Sequence, residues 1–187
     1  VINSAAPAEP WQFVPITDDK GYGRFTHGMG VDDVNGDGRP DLLEKDGWWQ
    51  QTSTSGELFK FHAFPFAQSG GSQMFAYDFD GDGDNDVISV QNAHGWGLKW
   101  FEQRGVDGDI GFVARQILPE KYDPAATLNI SQMHSLALAD IDGDGVKDIV
   151  TGKRFYAHGG GDPGAHQLPV LYWFRTVRGG PEVQFEP

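Results

Sequence analysis

The apolar residues of this chain fall into short runs that alternate with clusters of turn-forming residues. Each run is a few residues long and rich in Val, Ile, Leu and aromatic side chains, a pattern typical of strands. The clusters between the runs consist of Gly, Asp, Asn, Ser and Pro, which favour turns. The pattern therefore predicts an all-β chain of short antiparallel strands. The predicted strands are Trp11–Thr17, Phe25–Val31, Leu42–Glu44, Trp48–Gln51, Leu58–Phe64, Gln73–Tyr77, Val87–Gln91, Leu98–Glu102, Phe112–Leu118, His134–Ala139, Ile149–Gly152, Val170–Phe174 and Val183–Phe185.

After the first strand, the predicted strands repeat in the same order three times, with four strands in each unit. The third strand of each unit carries an aromatic pair, Trp48-Trp49, Trp100-Phe101 or Trp173-Phe174, and we expect these pairs to pack between adjacent sheets. The chain divides into a Pro- and Ala-rich linker or arm at 1–10 and three repeats within 11–187, at about 24–67, 72–118 and 132–187.

Each unit contains the same acidic nonamer between its first two strands, with the pattern D-x-[DN]-G-D-G-x-x-D. In a tight loop, side-chain oxygens at positions 1, 3 and 5 can point at one ion, a backbone carbonyl at position 7 can add a ligand, and the Asp at position 9 closes the cage. Glycine at positions 4 and 6 permits the sharp turn. The sequence therefore predicts three Ca²⁺ sites. The predicted ligands are Asp33, Asn35, Asp37, the backbone carbonyl of Arg39 and Asp41 in the first loop, Asp78, Asp80, Asp82, the backbone carbonyl of Asp84 and Asp86 in the second, and Asp140, Asp142, Asp144, the backbone carbonyl of Val146 and Asp148 in the third.

Two kinds of calcium loop have to be separated. Helical calcium loops need an acid at position 12 and flanking helices. Position 12 here is Glu44, Ser89 or Thr151, so only the first loop has the acid, and short β-type runs follow all three. The nonamers and their flanks instead resemble the calcium loops of FG-GAP and VCBS-type repeats, in which the loop joins two strands of a β-propeller blade. The glycine–alanine–proline signature of integrin-type repeats is missing, so the VCBS-type repeats are the more similar ones. A looser likeness is to the propeller part of aldos-2-ulose dehydratase, from which no catalytic residue can be carried over.

The loops begin 45 and 62 residues apart, and four strands in a repeat of that length are typical of propeller blades. Three blades do not close a ring, because propellers usually have about four to eight. Either the chain is a fragment of a larger propeller or several chains complete one together, since an open array would leave a blade face uncovered. The first residue is Val1, and we expect a processed product or a piece of a longer protein.

Charge and composition restrict the partners. The net charge is −13, and 12 of the 27 acidic residues lie in the three loops, so we expect neither nucleic acid nor anionic membrane as a partner. The chain has no Cys, which excludes disulfides and thiol catalysis, and no apolar run is long enough to predict a membrane span. Calcium sites of ordinary affinity fill where calcium is millimolar, so we expect an extracytoplasmic protein that is secreted, periplasmic or on the cell surface.

The predicted topology also brings histidines together. Each loop joins two antiparallel strands, so the start of the first strand and the end of the second lie together at the opposite end of the blade. The resemblance to propellers implies that the first strand lines the central channel. The residues predicted at this histidine rim are His27, His94, His134, His158 and Lys153, with His166 in reach. Neutral imidazole suits Zn, Cu, Fe and Ni. The rim is therefore a candidate site for a second metal or a polar ligand such as a sugar, and its side chains are candidates for acid–base catalysis. The alternative is that these residues only suit the turns.

The sequence leaves three hypotheses about function. The first is a calcium-stabilised binding or assembly module that recognises a glycan or an extracellular protein and is completed by further blades from the same precursor or from other copies of the chain. The second is the catalytic propeller part of a sugar lyase or dehydratase, which needs a base and often a cation. No known catalytic motif supports the second. A purely structural chain that polymerises through its open edges is a third hypothesis.

Overall fold

The computed structural model describes residues 10, 15–17, 19–23, 26–53, 59–106 and 109–187. The strands of this part of the chain are β1 (Met29–Asp32), β2 (Asp41–Glu44), β3 (Gly47–Gln51), β4 (Phe59–Ala63), β5 (Phe75–Tyr77), β6 (Asp86–Val90), β7 (Leu98–Val106), β8 (Asp109–Leu118), β9 (Leu136–Ala139), β10 (Asp148–Lys153), β11 (Val170–Val177) and β12 (Gln184–Glu186). The helical structure in the described ranges is one 3₁₀ segment, Ala157–Gly160.

The strands form three four-stranded antiparallel sheets, in the orders β1-β2-β3-β4, β5-β6-β7-β8 and β9-β10-β11-β12. Each sheet follows the order of the sequence, so every connection inside a sheet is a hairpin. The expected all-β fold of propeller-like blades is confirmed, and the sheets are called blades 1, 2 and 3 below. Within the described ranges, no helix is long and apolar enough to span a membrane.

The blades share one register. The second strand of each blade carries two adjacent apolar residues that pair with the aromatic pair of the third strand. These pairs are Leu42 with Trp49 and Leu43 with Trp48 in blade 1, Val87 with Phe101 and Ile88 with Trp100 in blade 2, and Ile149 with Phe174 and Val150 with Trp173 in blade 3. Because successive side chains of a strand point to opposite faces, each pair of adjacent residues contributes one side chain to each face of its blade.

Adjacent blades pack face to face through these residues. Leu43 and Trp48 of blade 1 lie in one buried cluster with Val87 and Phe101 of blade 2. Across the other boundary, Ile88 and Trp100 of blade 2 are buried with Ile149 and Phe174 of blade 3. At least one residue of each aromatic pair therefore packs between sheets, as the sequence predicts, whereas Trp49 packs on Phe61 of its own blade and Trp173 is exposed.

Several strand boundaries differ from the prediction. Strand β1 begins at Met29 rather than Phe25, directly after Gly28, whose φ is 85°. Strands β7 and β8 pair as far as Val106 and Asp109, beyond the predicted ends at Glu102 and Phe112. The predicted linker 1–10 lies outside the described residues except for residue 10. Of the predicted strand Trp11–Thr17, only 15–17 are described, and they form no strand.

Candidate metal centres

The three acidic loops have the same backbone structure. In each loop, the N–H at position 5 donates to the side chain at position 3, and the N–H at position 7 donates to the carboxylate at position 5. The N–H of the position 6 glycine donates to the carboxylate at position 1, from Gly38 to Asp33 at 2.8 Å, from Gly83 to Asp78 at 3.3 Å and from Gly145 to Asp140 at 3.0 Å. The glycines at positions 4 and 6 have φ values from 71° to 99°, a region that side chains rarely adopt.

The aspartate at position 9 fastens each loop to its blade. Asp41, Asp86 and Asp148 are buried, and one carboxylate oxygen of each accepts the N–H of loop position 2 at 3.0 to 3.1 Å. The other oxygen accepts a backbone N–H from the third strand of the blade, at 2.8 Å from Gln51, 2.8 Å from Gln103 and 2.9 Å from Thr176. The closing aspartate therefore joins the loop to a strand that does not adjoin it in sequence.

The electrostatics of the loops suit a cation. Burial raises the pKa of Asp86 to about 6, and the hydrogen bond from Gln103 opposes this shift. Burial, followed by the charges of Asp82 and Asp78, also raises the pKa of Asp80. Carboxylates held this close together repel one another, and a divalent cation between them removes that repulsion.

The donor set fits calcium. The predicted ligand atoms are all oxygens, which Ca²⁺ prefers. In the second loop Asp78, Asp80 and Asp82 each offer an oxygen within 4.8 Å of the others. In the third loop the corresponding group is Asp140, Asp142 and Asp148.

The loops differ in charge. The first has Asn35 at position 3, and Arg39 from the loop itself pairs with Asp37 at 2.5 Å. In the second loop Asp82 lies 3.7 Å from Arg104, and in the third Asp142 lies 2.6 Å from Arg175. The second loop, with five aspartates and this longer ion-pair distance, has the most negative charge left for a cation.

The loops are also linked across the blade boundaries. Asn85 of the second loop donates its side-chain N–H to the carbonyl of Asp33 in the first loop at 2.7 Å. Arg178 of blade 3 donates from Nε to the carbonyl of Phe79 in the second loop at 2.8 Å. Ordering one loop therefore helps to hold its neighbour.

A second cluster lies at the opposite ends of the blades. His27 precedes β1, His94 follows β6 and His134 precedes β9, and each offers a nitrogen within 4.8 Å of the others. Nε2 of His94 lies 3.0 Å from Nε2 of His27. The ring centroids of His94 and His134 are 4.8 Å apart, and those of His27 and His134 are 5.6 Å apart. The structure thus brings together three of the four histidines that the sequence places at this rim, and His158 lies next to them.

His158 and a residue that the sequence analysis missed complete the cluster. Nδ1 of His158 lies 3.1 Å from Nδ1 of His94, and both face Oδ2 of Asp162, at 2.7 Å and 3.2 Å respectively. Burial raises the pKa of Asp162, but the hydrogen bonds from His158 and His94 outweigh it and the net shift is downward. No sequence signal indicated Asp162, because the 154–169 connection carries no periodicity.

Burial favours the neutral form of two of the rings. It lowers the pKa of His27, and charge on His94 and His158 acts in the same direction. Burial likewise lowers the pKa of His134, and the hydrogen bond to the Gln132 carbonyl opposes this shift. Neutral imidazole is the form that binds metals.

Two residues predicted near this rim have other partners. Lys153 is buried, and its ammonium donates to the carbonyl of Gly164 and to Oε1 of Gln167. The ring of His166 packs on Tyr156, with centroids 5.5 Å apart. The Lys153 bonds hold the 154–169 connection against blade 3, and the contact between His166 and Tyr156 lies within that connection.

Comparison with known proteins agrees with the repeat resemblance. Residues 78–151 match the family model described as FG-GAP-like repeat, a stretch that runs from the first residue of the second loop through the third loop into β10. No curated protein and no solved structure matches the chain. The likeness to the propeller part of aldos-2-ulose dehydratase therefore stays an expectation.

Proposed function

We propose that this chain, in which residues 78–151 form an FG-GAP-like repeat region, is a calcium-stabilised propeller module that works outside the cytoplasm and recognises a glycan or an extracellular protein. The observation that carries the proposal is the buried aspartate at position 9 of each loop. Asp41, Asp86 and Asp148 each bond both the loop and the third strand. An ion held by these carboxylates would tie the first three strands of a blade together.

The energetics support a stabilising role. A ligand that binds only the folded state stabilises it by about 2.7 kcal/mol when its concentration is about 100 times the dissociation constant. Three sites with dissociation constants of about 0.1–1 mM would contribute about 1–4 kcal/mol in total at about 1 mM calcium, against the roughly 5–15 kcal/mol by which a domain is stable. Because calcium loops of extracellular modules have dissociation constants of about 0.1–1 mM, such sites fill where calcium is millimolar, which supports an extracytoplasmic location.

The exposed outer faces of blades 1 and 3 support the proposal that further blades complete the propeller. Trp48 and Trp100 are buried against the next blade, whereas their counterpart Trp173 on blade 3 is 38% exposed and its neighbour Leu171 is 80% exposed. At the other end, Met29 of β1 is 67% exposed, although the corresponding Met74 is buried. We propose that another blade covers each face, supplied either by the same precursor or by a second copy of the chain. Sedimentation of the isolated chain over a concentration series separates the two sources, because only the second gives an assembly that depends on concentration.

A second candidate function is the sugar lyase or dehydratase. The observation that favours it is the convergence of His27, His94 and His134, with His158 half exposed beside them. Such a reaction needs a base to remove a proton next to a carbonyl or carboxylate group. The exposed ring of His158 would be that base.

The test combines calcium counting with ligand screening. We expect three Ca²⁺ per chain in equilibrium dialysis, a melting temperature that falls in chelator, and binding to glycans or extracellular proteins only in calcium. Fewer than three ions at millimolar calcium, or a melting temperature that does not respond to chelator, contradicts the stabilising role. Turnover of a bound polysaccharide to an unsaturated sugar would favour the lyase over the binding module.

A further inference from the structure

We infer that His27, His94 and His134 form a binding site for one divalent transition-metal ion, and that Asp162 and the Gln132 carbonyl hold two of these imidazoles in the tautomer that coordination requires. The site lies at the ends of the blades away from the calcium loops. It goes beyond the proposed calcium module, because its nitrogen ligands select a different class of cation.

The nitrogen positions fit a single ion. A four-coordinate zinc ion with Zn–N distances of about 2.0–2.1 Å places its nitrogen ligands about 3.3–3.4 Å apart. The three histidines each offer a nitrogen within 4.8 Å of the others, and Nε2 of His94 and His27 are 3.0 Å apart. Small rotations of the side chains would bring all three to coordination distance.

The hydrogen bonds on the far side of the rings favour the same conclusion. Nδ1 of His94 faces Oδ2 of Asp162, and Nδ1 of His134 faces the carbonyl of Gln132, each at 3.2 Å. Since a carboxylate or carbonyl oxygen can only accept, these contacts favour the tautomer in which the proton of each neutral ring is on Nδ1 and the lone pair is on Nε2. Ligating histidines in metalloproteins commonly have this arrangement, with the second ring N–H donated to a carboxylate or a backbone carbonyl.

The backbone around the cluster is strained. In the described ranges of the chain, the non-glycine residues with positive φ are Gln132 (58°), Tyr156 (56°) and His158 (48°). All three belong to the segments that supply or support the histidines. Such conformations cost of order 1–3 kcal/mol each and concentrate at functional sites.

One buried side chain connects the supporting segments. Gln132 donates from Nε2 to the carbonyl of Pro163 at 2.8 Å, next to Asp162. The Gln132 carbonyl accepts from His134 and Asp162 accepts from His94, so this contact joins the two groups that orient the ligands. His94 itself is held by its backbone N–H, which donates to Oδ1 of Asn92 at 2.9 Å.

Three histidine ligands leave one position of a four-coordinate ion open. Catalytic zinc sites have this composition, with water or substrate in the fourth position. The open position would take an oxygen donor, such as a hydroxyl or carboxylate of a sugar. His158 lies beside His94 and shares Oδ2 of Asp162 with it.

The test titrates Zn²⁺ into the chain in saturating calcium, with a chromophoric chelator as competitor, and repeats the titration with Co²⁺ to read coordination number from the visible spectrum. We expect one transition-metal ion per chain and a four-coordinate Co²⁺ spectrum. His134→Gln should lower the affinity at least about 100-fold, and Asp162→Asn should lower it about 10–100-fold. His62→Gln is the matched control, because His62 lies on β4 and bonds Gln50 outside the cluster, and it should leave the affinity unchanged.

Two further measurements distinguish a change in the orientation of the histidine rings from a loss of folding. Long-range ¹H–¹⁵N spectra of the metal-free chain should show His94 and His134 protonated at Nδ1, and Asp162→Asn should change this for His94 alone. Each variant's calcium-dependent melting shows whether it folds, and His27→Gln serves as a second ligand variant. The inference is overturned if the chain binds no transition metal in calcium, if His27→Gln and His134→Gln bind as tightly as the parent, or if Asp162→Asn alters neither the tautomer nor the affinity. Loss of the calcium response alone would instead overturn the proposed function.

Discussion

Nε2 of His94 lies 3.0 Å from Nε2 of His27, although 67 residues separate them and they belong to different blades. The loops at the other ends of the blades show a related contact, from Asn85 to the Asp33 carbonyl. Each blade therefore carries acidic oxygen ligands at one end, and the three blades share imidazole nitrogens at the other. The sites proposed for a hard cation and for a borderline cation therefore lie at opposite ends of the blades.

The ligands of the second and third loops can be tested by their dependence on calcium. Asp80→Ala or Asp142→Ala should lower the melting temperature in millimolar calcium, by the equivalent of about 0.4–1.4 kcal/mol, and have little effect in chelator. Asp84→Ala is the matched control, since position 7 contributes its backbone carbonyl and not its side chain. Thermal denaturation of all three variants in both conditions is the measurement. Equal losses with and without calcium would mean that the side chain has no metal role.

The closing aspartate should matter even without the ion. Asp148 is buried and accepts N–H groups from Ile141 and Thr176. Asp148→Asn places an amide N–H against one of these donors, and leaving a buried group unpaired costs about 1–3 kcal/mol. Chemical denaturation in chelator should show this loss, in contrast to Asp142→Ala. An unchanged unfolding midpoint in chelator would contradict the proposed role of Asp148 in fastening the loop to its blade.

His62 predicts a pH dependence. Its ring stacks on Trp48 with centroids 4.4 Å apart, and burial, followed by the charge of Lys60, lowers the pKa of His62 below its usual value of about 6.5. The unfolded chain therefore takes up the proton first as the pH falls. The stabilisation from the neutral ring is complete above about pH 6.5 and is lost as the pH drops through the folded pKa.

The measurement compares the parent with His62→Phe, which keeps a stacking ring without a titrating group. Between about pH 7.5 and 5.5, the free energy of unfolding of the parent should fall relative to the variant. Other titrating groups are common to both chains and cancel in the difference. A difference that stays constant over this range would show that burial does not perturb His62.

The packed face of blade 2 and the outer face of blade 3 should respond differently to loss of a tryptophan. Trp100 is buried between blades 2 and 3, and Trp100→Ala should cost about 3–5 kcal/mol. Trp173 occupies the corresponding position on blade 3 but is 38% exposed, so Trp173→Ala should cost less than half as much in the isolated chain. Chemical denaturation at low concentration is the measurement. Equal costs would mean that a further blade already covers Trp173.

The sequence predicted those parts of the fold that depend on local chemistry. The loops and their glycines follow from nine adjacent residues, and the hairpins follow from short apolar runs. The convergence of His27, His94 and His134 could be predicted in two steps. Antiparallel pairing places the start of one strand beside the end of the next within a blade, and the resemblance to propellers places these ends around one channel.

The rest depended on tertiary contacts or on signals that were overlooked. Asp162 lies in the long 154–169 connection, where no periodicity indicates the direction of a side chain. Lys153 was placed at the rim because it ends β10, but it lies on the buried side of that strand and bonds the 164–167 segment. The extension of β7 and β8 was missed because its apolar residues, Val106 and Ile110, stand singly among Gly and polar residues, although Asp107-Gly108 is a strong hairpin sequence.

The central claim is that the three loops bind calcium, and a crystal structure from crystals grown in millimolar calcium, with anomalous scattering data, tests it most directly. The account predicts one anomalous peak in each loop, each ion surrounded by about six to eight oxygens that include positions 1, 3, 5, 7 and 9. Ordered loops with no anomalous peak at that calcium concentration would contradict it.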